Sequence, residues 1–203
     1  MKRTASTLAG LVVVVAILTG CTSTPEPTFT PGTPTPTETS AGPVTYDPPA
    51  DEAEAIAAAQ DTIETILTAQ SEINAAGGTD AARYDDLAMG KGLDWFTRNA
   101  TRIAEGPLAN EDGENIEGQA HSEGIIVFEQ ETAYGQEFDG IDNGLVLLPG
   151  CLDTSGYKIT TADGKPAYRS DTDRTKVEFQ VTYAADRKLW LVSNLITFEG
   201  QTC

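Results

Sequence analysis

The feature that most restricts how this 203-residue chain can fold is a segment that is rich in proline and threonine and poor in apolar residues. Residues 22–50 contain eight of the eleven prolines and nine threonines. Such a composition cannot bury enough apolar surface to offset the conformational entropy lost on ordering. We therefore predict a disordered, semi-extended tether at residues 21–50 and a single folded domain at residues 51–203, which is a usual length for one domain.

A short apolar run, Leu8–Leu18, precedes the tether and follows a basic Lys-Arg pair. It is shorter than the about 20 residues that a membrane-spanning helix needs. The run leads into Leu18-Thr19-Gly20-Cys21, which resembles a bacterial lipobox. The resemblance implies that residues 1–20 are a lipoprotein signal peptide and that Cys21 carries a diacylglycerol. We therefore expect a lipid anchor on the extracytoplasmic face of the cell membrane. An ordinary signal peptide with a free cysteine is the alternative.

The cysteine count supports the same location. The chain has three cysteines, and an exported protein with an odd number keeps one unpaired thiol. If Cys21 carries lipid, Cys151 and Cys203 remain, and an oxidising compartment allows them to form a disulfide. The bridge would close a loop of about 53 residues and contribute about 4 kcal/mol in the chain-entropy model. Two separate thiols are the alternative.

The chain is strongly acidic, with 31 Asp and Glu against 13 Lys and Arg. This charge disfavours nucleic acid as a partner and disfavours electrostatic attachment to anionic lipid. Solubility outside the cell explains the charge more simply than an acidic binding face does.

The pattern of apolar residues changes from helical to strand-like at Pro107. Before it, three helices are predicted at residues 51–75, 81–89 and 91–105. After it, strands are predicted at residues 116–122, 124–134, 146–153, 158–161, 176–184 and 189–198. The turn sequences TADGKP and YAADRK predict that the last three strands form a meander. We therefore predict an α+β fold with three N-terminal helices on one face of an antiparallel sheet.

The predicted core comprises apolar positions on one face of each element. These are Ile56, Ile63, Leu67, Leu93, Phe96, Val127, Leu147, Val177, Phe179, Val181, Trp190 and Val192.

The order of elements resembles the nuclear transport factor 2-like superfamily, whose cone-shaped fold packs three helices on a curved sheet. The segments CLDTS at 151–155 and LWLVSNL at 189–195, with a cysteine at position 203, are similar to a group of actinobacterial envelope lipoproteins. The resemblance implies a pairing of Cys151 with Cys203 and a homodimer formed through the sheet. Those lipoproteins mostly have no assigned activity, so the resemblance implies a fold and a location but no reaction.

Enzymes of the resembled fold use an acid, a tyrosine or a histidine inside the cone, where apolar walls raise the pKa of the acid. The corresponding candidates here are Asp153 and His121, although a structural role explains each of them more simply. The sequence contains no recognisable metal or cofactor motif, so we expect neither group.

Two main functions follow from these observations. We expect a membrane-anchored extracytoplasmic module that binds a protein partner or a small apolar ligand on its concave sheet. The alternative is an isomerase, dehydratase or hydrolase that uses Asp153 or His121 in an enclosed pocket. A structural role in the envelope is a third hypothesis.

Overall fold

The structure, a computed structural model, describes residues 45–169, 172–198 and 200–203. The predicted signal peptide, Cys21 and most of the predicted tether lie outside the described residues. Within those residues the elements are α1 (Glu52–Ala75), a 3-10 helix (Ala81–Asp86), α2 (Gly90–Glu105), β1 (Leu108–Ala109), β2 (Asn115–Ile116), β3 (His121–Glu123), β4 (Val127–Gln130), β5 (Tyr134–Phe138), β6 (Ile141–Asp153), β7 (Lys158–Thr160), β8 (Arg174–Ala184) and β9 (Leu189–Thr197). No helix in this part of the chain is long and apolar enough to cross a membrane.

Helix α1 is the long helix that the apolar spacing predicts. Asp51 caps its N-terminus, because the carboxylate accepts a hydrogen bond of 2.9 Å from the Glu54 N–H. Two glycines with positive φ, Gly77 and Gly78, end the helical region. A Cβ at Gly78 would lie 2.2 Å from the Ala100 carbonyl oxygen, so the end of α1 approaches α2 closely.

The prediction of three α-helices is wrong, because the described residues form two α-helices with a six-residue 3-10 helix between them. The predicted helix at 81–89 cannot continue through Met89, since the backbone there pairs with the edge of β9. The Val192 N–H donates to the Leu87 carbonyl at 3.0 Å, and the Met89 N–H donates to the Val192 carbonyl at 3.0 Å. These two bonds require extended rather than helical backbone at Met89.

The main sheet is antiparallel and has five strands in the order β4-β6-β8-β9, with β5 lying beside the first half of β6. Strand β6 therefore pairs with β5 and β4 in succession along one edge and with β8 along the other. Register shifts between β5 and β6 and between β8 and β9 mark bulges, which increase twist and bend. The described residues thus form an α+β fold with a curved antiparallel sheet, as predicted, and no closed barrel.

Several predicted strands differ from the observed ones. The predicted strands at 116–122 and 124–134 are replaced by four short strands, β2 to β5, separated by turns. Strand β7 pairs with β3 in a separate two-stranded sheet, so the predicted meander of three strands is reduced to the hairpin of β8 and β9. Strands of two or three residues carry too little alternation to be recognised in a sequence.

The core lies between the helices and one face of the sheet. Eight predicted core residues are buried, namely Ile63, Leu67, Phe96, Val177, Phe179, Val181, Trp190 and Val192. Ile56 and Leu93 are partly buried against this cluster. Val127 was predicted wrongly, since 43% of it is exposed on the edge strand β4. Leu147 is only partly buried, because it alternates with the buried Val146 and Leu148 and faces the opposite side of β6.

Residues before Asp51 also contact the domain. The Tyr46 N–H donates to the Lys188 carbonyl at 2.8 Å, and the Tyr46 carbonyl accepts from the Tyr183 hydroxyl at 2.9 Å. The ordered contacts therefore begin within the segment for which the composition predicts a tether.

Candidate functional site

Asp153 lies at the end of β6 in an ion pair on the protein surface. Its carboxylate accepts a hydrogen bond of 2.8 Å from the Ser155 N–H and one of 3.0 Å from the Arg174 guanidinium. Hydrogen bonds from Ser155, together with the charge of Arg174, hold the pKa of Asp153 below its ordinary value. This direction is opposite to the raised pKa that an acid in an apolar cone would have.

His121 is an exposed residue of β3, where it pairs across the small sheet with Thr160. Neither His121 nor Asp153 belongs to the lining of the two cavities beside α1 that are described below. The two catalytic candidates therefore do not meet in either of these cavities.

Cys151 and Cys203 have their sulfur atoms 2.18 Å apart, a bonding distance, and their Cα atoms 6.0 Å apart. Cys151 is a buried residue of β6, whereas Cys203 is exposed. Two residues that precede Cys203 are bonded to Lys176 of β8. The Lys176 N–H donates to the Gln201 carbonyl, and the Phe198 N–H donates to the Lys176 carbonyl. The third site prediction, Cys21, lies outside the described residues.

The larger of the two cavities is a groove of about 600 Å³ between α1 and the segment 125–130, and we call it the α1–β4 groove. Its apolar lining comes from Ile63 and Leu67 on the helix and from residues 125–128 on the other side. Ile125 is 62% exposed and Val127 is 43% exposed. Two branched aliphatic side chains, two positions apart in the chain, are therefore exposed to solvent where an apolar wall is already present.

A close backbone approach lies next to this groove. A Cβ at Gly124, whose φ is +84°, would lie 1.9 Å from the Gly156 carbonyl oxygen, so the two loops touch through backbone alone. At one end of the groove the Gln60 amide donates to the Gln130 side chain at 3.0 Å. The carboxylates of Glu64 and Glu72 also line the groove, and Glu72 pairs with Arg83 at 2.7 Å.

The smaller cavity has a volume of about 280 Å³, and we call it the amide cavity. Gln70 of α1, Asn99 and Trp95 of α2, and Tyr157 are part of its lining. The Asn99 side-chain oxygen accepts from the amides of Gln70 and Asn74, at 3.3 and 3.0 Å respectively. The Asn74 amide also donates to the Tyr157 hydroxyl at 2.7 Å. Two helices and a loop are thus joined by one network of neutral polar groups.

Three side chains around this network keep a buried oxygen without a hydrogen-bond partner within the described residues: Gln70 through Oε1, Asn74 through Oδ1 and Tyr84 through its hydroxyl. Leaving such a group unpaired costs about 1–3 kcal/mol. Burial, with a smaller contribution from the nearby Tyr157, raises the pKa of Tyr84. Each buried polar group without a protein partner requires a physical explanation, such as a bound water, an ion or a catalytic role.

Neither cavity is predicted from the sequence. A signal for the amide cavity was present, because Gln70 lies on the apolar face of α1 among isoleucines and Asn74 follows one turn later. Buried polar residues on an otherwise apolar face are more informative than exposed apolar ones. The α1–β4 groove gave no comparable signal, since its two walls are about 60 residues apart in the chain.

Comparison with known proteins does not place this chain in a family. No protein-family model matches the sequence, and no curated protein does either. Among solved structures, the intermembrane space region of the chloroplast protein ARC6 is similar to this chain with a TM-score of 0.47 and 10% identity. The similarity covers 69% of this chain and 93% of the ARC6 chain. A likeness at this level supports no conclusion about fold family or function.

Proposed function

We propose that the protein is a lipid-anchored binding module whose α1–β4 groove holds a small apolar ligand. The observation that carries this proposal is the exposure of Ile125 and Val127 beside an apolar wall. Covering a large aliphatic side chain contributes about 1.5–3 kcal/mol, so a ligand that covers both gains a useful part of its binding free energy there.

The dimensions and charge of the groove narrow the class of ligand. Its volume of about 600 Å³ falls within the range of small-molecule sites. Glu64 and Glu72 line it, and the chain has a net charge of −18, so anionic ligands such as ionised fatty acids are disfavoured. The expected ligand is therefore apolar and uncharged.

The location and the fold family are part of the same proposal. The lipobox-like sequence ending at Cys21 supports an anchor on the extracytoplasmic face of an actinobacterial cell membrane. The order of helices before a curved sheet supports a variant of the nuclear transport factor 2-like cone in which the middle helix is a short 3-10 segment. An apolar groove beside the first helix is compatible with that fold.

The test is a titration of the full-length protein with Nile red, an uncharged apolar dye, followed by fluorescence. We expect saturable binding that becomes about tenfold weaker in the double variant Ile125→Ser/Val127→Ser, because the aliphatic surface is lost. Phe138→Ser is the matched control, since Phe138 is also 43% exposed but lies on β5, outside the groove lining. Equal weakening in the control, or no saturable binding by the unmodified protein, would contradict the proposal.

A further inference from the structure

Strand β4 lies at the edge of the main sheet, and the direction of its hydrogen bonds follows from the register. Glu131, which continues β4, donates its N–H to the Pro149 carbonyl at 3.0 Å, and the register of β4 and β6 places these two residues opposite each other. In an antiparallel pair, opposed residues that form such bonds alternate with residues that do not. Glu129 therefore bonds to β6, whereas the backbone N–H and C=O groups of Phe128 and Gln130 point away from it. We call these groups the open edge of β4.

Helix α1 runs beside the outward side of this edge. On β5, which continues the same edge, the Gly135 N–H donates to the Glu52 carboxylate of α1 at 2.9 Å. Farther along, the side chains of Gln60 and Gln130 are bonded. The open edge itself receives no hydrogen bond from the other groups that the structure describes. Phe128 is partly exposed and Gln130 is exposed, so this edge is accessible from the α1–β4 groove, which both residues line.

The open edge presents hydrogen-bonding groups in a pattern that fits another strand. Phe128 and Gln130 each offer one donor and one acceptor on the same side of β4, at a spacing of about 7 Å. An extended polypeptide carries the matching groups at the same interval, and addition of a strand to a sheet edge is a recurrent mode of peptide recognition. A hydrocarbon satisfies none of these groups. The edge therefore favours a peptide over other apolar ligands of the groove.

The dimensions of the groove suit a short strand. Its helical wall extends from Gln60 to Glu72, which corresponds to about 18 Å along a helix axis. Four or five extended residues span about 13–17 Å. Alternate side chains of an added strand lie on the side of α1, where Ile63 and Leu67 form the apolar wall. We therefore expect those side chains to be apolar.

The charges of the groove restrict the class of peptide further. The described lining residues include the carboxylates of Glu64 and Glu72 but no lysine or arginine. Glu72 pairs with Arg83, whereas Glu64 forms no ion pair in the described part of the chain. Together with the net charge of −18, this arrangement disfavours a peptide with acidic side chains.

From these features we infer that the ligand of the α1–β4 groove is an extended apolar segment of a partner protein, without acidic side chains, that adds to β4 as a further strand. This inference rests on the proposed function, because it takes the groove as the binding site and specifies the class of its ligand. The segment exchanges backbone hydrogen bonds with Phe128 and Gln130, and its apolar side chains cover the aliphatic wall of the groove.

The first test is isothermal titration calorimetry of the full-length protein with the uncharged peptide acetyl-Thr-Val-Thr-Leu-Thr-amide, whose apolar side chains share one face. We expect saturable binding. Two further peptides carry a methyl group on the amide nitrogen of either the second or the third residue. Because alternate N–H groups of an added strand point toward β4, we expect one methylated peptide to bind about tenfold more weakly and the other to bind like the parent.

Two variants at one position test the same hydrogen bonds from the protein side. Gln130→Pro removes an N–H that points away from β6, and proline is tolerated on the outer side of an edge strand. Gln130→Ala is the matched control, since it also removes the side chain bonded to Gln60 but keeps the N–H. We expect the parent peptide to bind about tenfold more weakly to Gln130→Pro than to Gln130→Ala. Thermal unfolding shows whether both variants fold, and the methylated peptides decide the question if either does not.

A charge comparison completes the experiment. With glutamate at the third position of the peptide, we expect binding about threefold weaker than with lysine at low ionic strength. Absence of saturable binding by the parent peptide, equal effects of the two methylations, or equal binding by folded Gln130→Pro and Gln130→Ala would overturn the inference. Saturable binding of Nile red without binding of the peptide would overturn strand addition alone. Peptide binding that shows both contrasts without binding of Nile red would support strand addition and contradict the groove as a general site for small apolar molecules.

Discussion

Two buried tyrosines show how strongly the effect of one residue type depends on its hydrogen bonds. Tyr84 is fully buried, and its hydroxyl has no partner within the described residues. Tyr183 is 3% exposed, and its hydroxyl donates to the Tyr46 carbonyl at 2.9 Å. Both rings pack in the same core cluster. We therefore expect the two hydroxyl groups to contribute to stability with opposite sign.

We expect Tyr84→Phe to leave the free energy of unfolding unchanged or to raise it by up to about 1 kcal/mol, because an unpaired buried hydroxyl is removed. Tyr183→Phe is the matched change and is expected to lower it by about 1 kcal/mol, since a hydrogen bond is lost. Urea unfolding followed by circular dichroism measures both. A loss of stability in Tyr84→Phe equal to that in Tyr183→Phe would show that the Tyr84 hydroxyl has a partner.

The packing of α2 against β9 depends on one helical glycine. Gly92 is buried in the first turns of α2, and a Cβ there would lie 2.2 Å from the Val192 carbonyl oxygen. That same carbonyl accepts the Met89 N–H and so anchors the start of the helix. The absence of a side chain at Gly92 therefore allows the helix to lie directly on the sheet edge.

We expect Gly92→Ala to lower the free energy of unfolding by about 1–3 kcal/mol, because the methyl group forces α2 away from β9. This loss exceeds the gain of about 1 kcal/mol that alanine normally brings to a helix interior. Lys91→Ala, at the exposed neighbouring position, is the control and is expected to change stability little. Stabilisation by Gly92→Ala in a thermal unfolding experiment would argue against the close approach.

The bond between Cys151 and Cys203 connects the end of the chain to the middle of the sheet. The two residues are separated by 52 positions in sequence, and the loop they close contains β7, β8 and β9. Closing a loop of this length restricts the unfolded chain, which is the main source of stabilisation in the chain-entropy model.

We expect reduction to raise the mass of the protein by about two units and the double variant Cys151→Ser/Cys203→Ser to lose about 4 kcal/mol of stability. Intact mass spectrometry and thermal unfolding measure the two effects. Cys21→Ser is the control, since Cys21 is predicted to carry the lipid and not to join the bridge. Free thiols at both positions in protein isolated from its own envelope would contradict the pairing.

The correctly predicted elements are those whose periodicity extends over many residues. Helices α1 and α2 and strands β8 and β9 are each nine or more residues long, so their apolar pattern is recognisable without the fold. Strand β6 is predicted only in part, at 146–153, because its first residues, Ile141–Leu145, have no regular apolar alternation. The 3-10 helix and strands β1, β2, β3 and β7 are too short for such a signal. Their conformation depends on partners elsewhere, as the pairing of residues 87–89 with Val192 demonstrates.

The sequence by itself determined the α+β class and the burial of one face of each long element. These depend on local periodicity and on composition. Only the tertiary structure decided that Asp153 meets Arg174, that Val127 is exposed, and that Gln70 and Asn99 meet beside Trp95. Each of these depends on the relative position of segments far apart in the chain, which is fixed by the packing of the whole core.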